Sequence, residues 1–352
     1  MFHYLLLFCI DKINGQRTIA AIFHLLKGKR SAQTIQDANL YRLTNYFGIY
    51  RDLTREAFAK EVENLHQKKW ISISDNHVGQ ITCIGTQILQ EKKGHYPLSM
   101  YKGTEFVSFL ELFRQRLQLW IQTYTNIVAD QRKFLAVTDN EKAQKWVKGH
   151  YRLHKSQVDN WLAGVYKEMS GFLETVPTFY AQLFVDRLTG YQKVGLTIGQ
   201  LANKNNVSDH DVRLSLEAIY HQLLQYIEQT KPLYLSDFVP IDHVKKNTFI
   251  TESATKTFKL MEEGYSIKEI TRLRRLKEST IHDHIIEIAY ADPQFTIANF
   301  VGADDVEKIS HAIRNVPNNK LSLIKQELQG NYSYFQIRLV LASSSDLRTR
   351  RG

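Results

Sequence analysis

The sequence is poor in cysteine, glycine and proline. Its 352 residues include 2 cysteines, 17 glycines and 6 prolines. Cys9 and Cys83 form no CxxC pair, so neither a zinc knuckle nor a disulfide framework is predicted. Because helix-breaking residues are scarce between long amphipathic stretches, we expect a mainly α-helical protein.

Long hydrophobic runs are also absent. The apolar stretch at residues 1–10 stops at Asp11, which makes it too short to span a membrane. It also lacks the basic leader and the small-residue cleavage site of a signal peptide. We therefore expect a buried first helix, no membrane partner and a cytoplasmic, nucleoid-associated protein.

No group of residues typical of an enzyme stands out. Residues 28–31 (GKRS) are not a P-loop, because Phe23 stands where the first glycine belongs and Arg30 replaces the hydroxyl residue. His150 and His154 share a helical face, but two histidines are weak evidence for a metal. We expect no enzyme activity, catalytic residue, metal, cofactor or small-molecule substrate.

Positive charge is in excess. The chain has 46 Lys and Arg against 36 Asp and Glu, with a net charge of +10. Such a balance favours a polyanionic partner, either nucleic acid or an anionic membrane surface, although many basic proteins have neither. The sequence motifs must therefore decide between these partners.

Residues 1–91 have the element order of a winged helix. Helices are predicted over 19–26, ending near Gly28, over 33–47, and from Thr54 onward. Alternating residues at 70–74 and 80–84 around a turn then predict a β-hairpin. In a winged helix the third helix lies in the groove and the hairpin forms the wing.

This interpretation gives candidate DNA-binding residues in the N-terminal domain. They are Thr54, Arg55 and Lys60 on the third helix and His77 at the wing tip. A wing-tip side chain can stack on a terminal base pair, but His77 can equally be an ordinary turn residue.

The middle of the chain predicts long helices between two linkers. Residues 92–103 are interpreted as a linker, 104–240 as a helical domain, and 241–250 as a second linker. An apolar seam runs from Phe106 to Ile127 and indicates packing of helix on helix. Residues 197–222 have the rhythm of a possible further helix-turn-helix.

Residues 251–342 carry the most informative motif. A helix closes at Gly264, Ser266 and Glu269 form a capping box for the next helix, and a turn follows near Leu276. Ser279 is the expected N-cap of the recognition helix. The remaining residues, 343–352, are expected to form a disordered basic tail.

Polar and basic residues surround the start of this recognition helix. We expect those on the helix to face outward toward base edges: Ser279, Thr280, His282, Asp283 and His284. Those just before it are expected to contact phosphates: Arg272, Arg274, Arg275 and Lys277. The alternative is that the basic run is a solvated face.

This segment resembles the helicase-type helix-turn-helix domain at the C-terminus of some bacterial RecQ-like helicases. The resemblance rests on residues 264–270, 274–281 and His284, and on the later segments 320–328 and 334–340. More loosely, residues 22–28, 43–48 and 53–71 resemble the winged helix that follows the motor of these helicases. The four-cysteine zinc module and the ATPase motor of that family are missing.

The whole chain thus resembles the accessory half of such a helicase, encoded separately, as in stand-alone Firmicutes proteins of this type. The resemblance implies a non-catalytic DNA-binding partner of a RecQ-like helicase in DNA repair or recombination. A transcription regulator that binds a specific operator is the first alternative, and a protein-interaction scaffold is the second.

Overall fold

A computed structural model describes residues 1–240, 250–292, 294–316 and 321–343. These ranges contain eighteen α-helices and a single two-stranded hairpin, so the predicted mainly α-helical fold is confirmed. Most of the predicted second linker and of the basic tail lies outside the described residues. No helix in the described part of the chain is long and apolar enough to cross a membrane.

The N-terminal region is built from five helices and the hairpin. The hairpin pairs Ile71 with Ile81 and Ile73 with Gly79, and a bridge from Thr18 to Val78 adds a third short edge. Its elements are α1 (Phe2–Ile13), α2 (Ala20–Lys27), α3 (Ala32–Leu40), α4 (Arg55–Gln67), β1 (Ile71–Ile73), β2 (Gly79–Ile81) and α5 (Cys83–Glu91).

Two boundaries in this region differ from the prediction. The second predicted helix ends at Leu40 rather than Phe47, because the chain turns at Arg42, which has a φ of 56°. The second predicted strand ends at Ile81, where Thr82 caps α5 by accepting a hydrogen bond from the Gly85 amide at 3.1 Å. The wing is therefore short and is followed at once by a helix.

Of the predicted linker 92–103, residues 92–95 are exposed, whereas the second half is anchored to the protein. The Tyr101 hydroxyl donates to the Leu214 carbonyl at 2.9 Å, and the Lys102 amide donates to Nδ1 of His221 at 2.7 Å. Tyr101 and Leu98 belong to the N-terminal core. The segment is thus irregular in structure, as its glycines and proline predict, while Leu98 and Tyr101 fix its second half to the core.

The central region is a helical bundle, as predicted. The predicted seam is buried from Phe106 to Tyr124, with Trp120 and Tyr124 stacked at a centroid separation of 4.1 Å. The helices are α6 (Gly103–Phe106), α7 (Leu110–Val128), α8 (Glu141–His154), α9 (Val158–Glu174), α10 (Thr178–Arg187), α11 (Ile198–Asn205) and α12 (Asp209–Thr230).

Helix α12 carries a buried carboxylate. Oε2 of Glu217 lies 2.8 Å from Nη2 of Arg114 on α7. Burial alone would raise the pKa of Glu217, but Arg114, His221 and Arg51 together hold it below its ordinary value of 4.5. The ionised pair therefore favours the folded state.

We expect Glu217→Gln to lower the free energy of unfolding by about 2 kcal/mol at neutral pH, because Arg114 loses its buried partner. Since the folded pKa is depressed, the wild type should lose this contribution as the pH falls through it, below about 4.5, and the variant should not. Denaturant unfolding at several pH values measures both. The control is Glu111→Gln, which removes a more exposed partner of the same arginine and should change stability little. Equal curves for wild type and Glu217→Gln would contradict the role of this pair.

The C-terminal region, like the two before it, has its own core, which is formed by isoleucine, leucine and valine side chains. The helices are α13 (Glu252–Glu262), α14 (Ile267–Arg274), α15 (Glu278–Ala291), α16 (Ala303–Asn315), α17 (Leu321–Glu327) and α18 (Tyr334–Ser343). Helix α15 lies at the centre of this region, between α13, α14 and α18, and also contacts α3 of the N-terminal region.

Candidate nucleic-acid interface

Helices α14 and α15 form the predicted helix-turn-helix. Ser266 begins α14 with the predicted capping box, in which the Glu269 carboxylate accepts from the Ser266 amide at 2.8 Å. Arg275 ends the helix in the left-handed conformation, with a φ of 51°. Ile270 and Ile281 are fully buried, so each helix anchors the turn to the core.

The N-cap of helix α15 lies two residues before the predicted cap. Lys277, not Ser279, occupies the N-cap position, and its side chain makes no capping hydrogen bond. Ser279 therefore lies exposed within the first helical turn. The first amides of a helix have no intrahelical partner, so this helix start favours an anion.

Four predicted residues form a solvent-facing surface that we name the turn patch: Arg272, Arg275, Lys277 and Ser279. Among the described residues, none of these side chains makes a hydrogen bond or an ion pair. Lys268, also exposed, lies four residues before Arg272 on the same face of α14 and extends the patch. The sequence prediction missed Lys268, although its spacing from Arg272 was a usable signal.

Arg274 does not belong to this surface. Its guanidinium donates to the Ser253 carbonyl at 2.6 Å, to the Ser253 hydroxyl at 3.0 Å, and to the Thr257 hydroxyl. It therefore ties α14 to α13, and the structure does not support the predicted contact with phosphates.

His284 also faces inward, contrary to the prediction. It follows Ile281 by three residues and so shares the buried face of α15, with 6% of its surface exposed. Nδ1 of His284 lies 2.8 Å from the Thr257 hydroxyl. Burial, with the nearby Arg274, lowers the pKa of His284.

Three further predicted residues, Thr280, His282 and Asp283, are half-buried at the start of α15. The His282 ring stacks on Phe335 with centroids 3.9 Å apart, and Asp283 pairs with Arg338 at 2.7 Å. These contacts fix the His282 and Asp283 side chains to α18. The two side chains therefore lie at the edge of the turn patch and are not free to enter a groove.

Helix α3 covers the next turn of α15. Arg338 donates to the Gln36 amide oxygen of α3 at 2.6 Å, and Gln36 itself is buried. Ile286 and Glu287, one helical turn beyond His282 and Asp283, are 1% and 2% exposed. The face that a recognition helix presents to base edges is therefore open only at its N-terminal end.

Helices α11 and α12 form a second unit of the same geometry at the predicted 197–222 position. Both units have a capping box, an eight-residue first helix and a left-handed residue in the turn. The N-cap, the left-handed residue and the first residue of the second helix are Thr197, Asn206 and Asp209 in one unit, and Ser266, Arg275 and Glu278 in the other.

The second unit is occupied by a contact within the chain. His210 Nδ1 lies 2.5 Å from the Tyr50 hydroxyl, Asp211 accepts from the Phe2 amide at 2.9 Å, and Arg213 pairs with Asp52. The start of α12 thus docks on the N-terminal region. Two acidic residues in its first turn, Asp209 and Asp211, would also repel phosphates.

The candidate DNA-binding residues of the N-terminal region lie on the elements that the sequence predicted for them. Thr54 caps α4, and Arg55 and Lys60 are exposed on that helix. His77 is exposed in the hairpin turn with a φ of 57°, and its amide donates to the Ser74 carbonyl at 2.8 Å. Their contact with DNA stays a prediction.

The two capping boxes allow a matched stability test. We expect Ser266→Ala to lower the free energy of unfolding by about 1 kcal/mol, because an N-cap side chain satisfies an otherwise unpaired amide. Thr197→Ala should cost a similar amount. Thermal or urea unfolding of both variants measures the effect. Unchanged stability in Ser266→Ala would mean that water replaces the cap at no cost.

Comparison with known proteins agrees with this geometry. A family described as "Helix-turn-helix domain" matches residues 253–341, which begin within α13 and end within α18. The chain is also 30% identical to Protein YpbB of Bacillus subtilis (strain 168) over 342 residues, which are 97% of this chain and 96% of YpbB. The chain belongs to the YpbB family. No solved structure matches it.

Membership in the YpbB family extends over all three regions, since the match covers nearly the whole chain. The helix-turn-helix match is confined to the C-terminal region, where the turn patch lies. A helix-turn-helix domain indicates DNA as the partner of that region.

Proposed function

We propose that the protein is a non-catalytic DNA-binding protein that contacts the phosphate backbone through the turn patch and acts with a RecQ-like helicase in DNA repair or recombination. The observation that carries the DNA-binding part is the placement of Arg272, Arg275 and Lys277 around the open N-terminus of α15. Basic side chains and helix N-termini are common partners of phosphates. The helicase part rests on the resemblance described above.

The geometry favours recognition of DNA structure over a specific sequence. Phosphate contacts position a protein but carry no sequence information, whereas base contacts specify. Beyond the first turn of α15, the side chains of Ile286 and Glu287 are buried. This argues against the operator-binding alternative. A basic turn patch does not favour the alternative of a protein-interaction scaffold.

Binding to DNA of several structures tests the proposal. Fork, single-stranded and duplex DNA of unrelated sequences should all bind at low salt, with an affinity that falls steeply as salt increases. A strong preference for a single duplex sequence would instead favour a transcription regulator. No binding at low salt would remove DNA as the partner.

The helicase is tested separately. The purified 352-residue chain, immobilised, should retain a RecQ-like helicase from a lysate of the cells that produce the chain. It should also change the rate at which that helicase unwinds a DNA fork. Retention of the helicase by a bead carrying unrelated basic protein would show that charge alone explains the capture. If the chain binds forks but leaves unwinding unchanged, the DNA-binding part stands and the helicase part fails.

A further inference from the structure

A buried histidine in the central bundle has an unusual arrangement of partners. His150 on α8 is 5% exposed. Its Nδ1 lies 2.6 Å from the Tyr124 hydroxyl and 3.3 Å from Nε1 of Trp120. Its Nε2 is buried and makes no hydrogen bond of good geometry, since the Asp237 carboxylate lies 3.5 Å away. Such a nitrogen normally has a partner, because leaving a buried polar atom unpaired costs free energy.

Two other ligand-type groups surround this nitrogen. His154 lies one helical turn further along α8, and its ring centroid is 4.6 Å from that of His150. Oδ2 of Asp237, in the 3-10 turn Leu235–Phe238 of the chain, lies 3.5 Å from Nε2 of His150. One ligand atom from each of the three residues falls within 4.8 Å of the others.

We propose that His150, His154 and Asp237 bind a zinc ion. Two imidazoles and a carboxylate are a donor set that suits Zn²⁺. Ligand atoms on a tetrahedral zinc, with bonds of about 2.0–2.1 Å, lie about 3.4 Å from each other. The distance of 3.5 Å between His150 and Asp237 fits this spacing, and a ring nitrogen of His154 lies within 4.8 Å of both.

The surroundings support the ligands. With zinc on Nε2, Nδ1 of His150 carries the proton and donates it to the Tyr124 hydroxyl, which orients the ring as metal-bound histidines require. Trp161 packs edge-on to His150 at 4.4 Å and beside His154 at 4.5 Å, so the rings have little freedom. The Asp237 side chain is about half exposed, which leaves the fourth position to water.

Two existing interactions compete with a metal at this site. The long hydrogen bond with His150, and to a smaller extent the charge of Arg116, already lower the pKa of Asp237. Without zinc, Nδ1 of His150 accepts from Trp120 and Nε2 donates its proton toward Asp237. Zinc binding therefore requires the proton of His150 to move from Nε2 to Nδ1.

Zinc titration of the full-length chain tests the site. After treatment with a chelator and desalting, the wild type should bind one equivalent of Zn²⁺ by calorimetry and should melt at a higher temperature when zinc is present. Mg²⁺ should give neither effect, because it prefers oxygen ligands. Absence of saturable zinc binding would overturn the proposal.

Matched variants identify the ligands. His154→Gln and Asp237→Asn should each weaken zinc binding by at least about tenfold and reduce the zinc-induced rise in melting temperature. Both side chains are partly exposed, so the metal-free variants should melt close to the wild type. His311→Gln, an exposed histidine of the C-terminal region, should bind zinc as the wild type does. Zinc binding that survives in both ligand variants would place the metal elsewhere and reject this site.

Discussion

The triple variant Arg272→Gln, Arg275→Gln and Lys277→Gln should bind duplex DNA about a hundredfold more weakly than the wild type at about 0.1 M salt. Each phosphate contact releases counterions and contributes nearly one unit to the slope of the logarithm of affinity against the logarithm of salt concentration. The slope should therefore fall by about 2.7 in the variant. A salt series measured by fluorescence anisotropy gives both quantities.

A control with the same change in net charge distinguishes the turn patch from general attraction. Lys142, Lys148 and Arg152 are exposed on α8 of the central region. Their replacement by glutamine should leave the affinity within a few-fold of the wild type. An equal loss in both triple variants would assign binding to overall charge, and no loss in the first would exclude the turn patch.

Arg274→Ala should affect folding rather than DNA. The change removes three hydrogen bonds from a charged, half-buried group to Ser253 and Thr257, while the Thr257 hydroxyl keeps its contact with His284. We expect the free energy of unfolding of the C-terminal region to fall by about 2 kcal/mol. Urea unfolding, followed by a signal from that region, measures the loss.

The neighbouring arginine is the control for this prediction. Arg272→Ala, at an exposed helical position, should change stability by no more than about 0.5 kcal/mol. Under conditions in which Arg274→Ala remains folded, its DNA affinity should depend on salt concentration with the same logarithmic slope as that of the wild type. A slope lowered by about one unit with unchanged stability would return Arg274 to the phosphate-binding set.

Local sequence patterns predicted the helices well. The seam along α7 and the capping box at Ser266 depend on residues close in the chain, and both are present in the structure. At 92–103 the glycines and proline correctly indicated irregular structure, but they gave no signal that Tyr101 is buried, because its partner Leu214 is distant in sequence.

The candidate site was only partly predictable for the same reason. The exposure of Arg272, Arg275 and Lys277 follows from the local turn. Arg274 turns inward because it bonds to Ser253 and Thr257 of another helix, and its own segment gives no signal of this. His284 shares the buried face of Ile281, so its local spacing was a usable signal that the prediction missed. Asp237 is distant from His150 in the chain, so only the structure shows that the two residues lie close together.

The contact of Gln36 with Arg338 has a consequence for ligands of α15. A ligand of the turn patch can bind while α3 stays in contact with α15. A ligand that needs the part of α15 covered by α3 can bind only the fraction of molecules in which α3 has separated from α15. Its apparent dissociation constant is then the intrinsic value divided by that fraction. Any factor that holds the N-terminal region away from α15 would strengthen binding of this second ligand without contacting it.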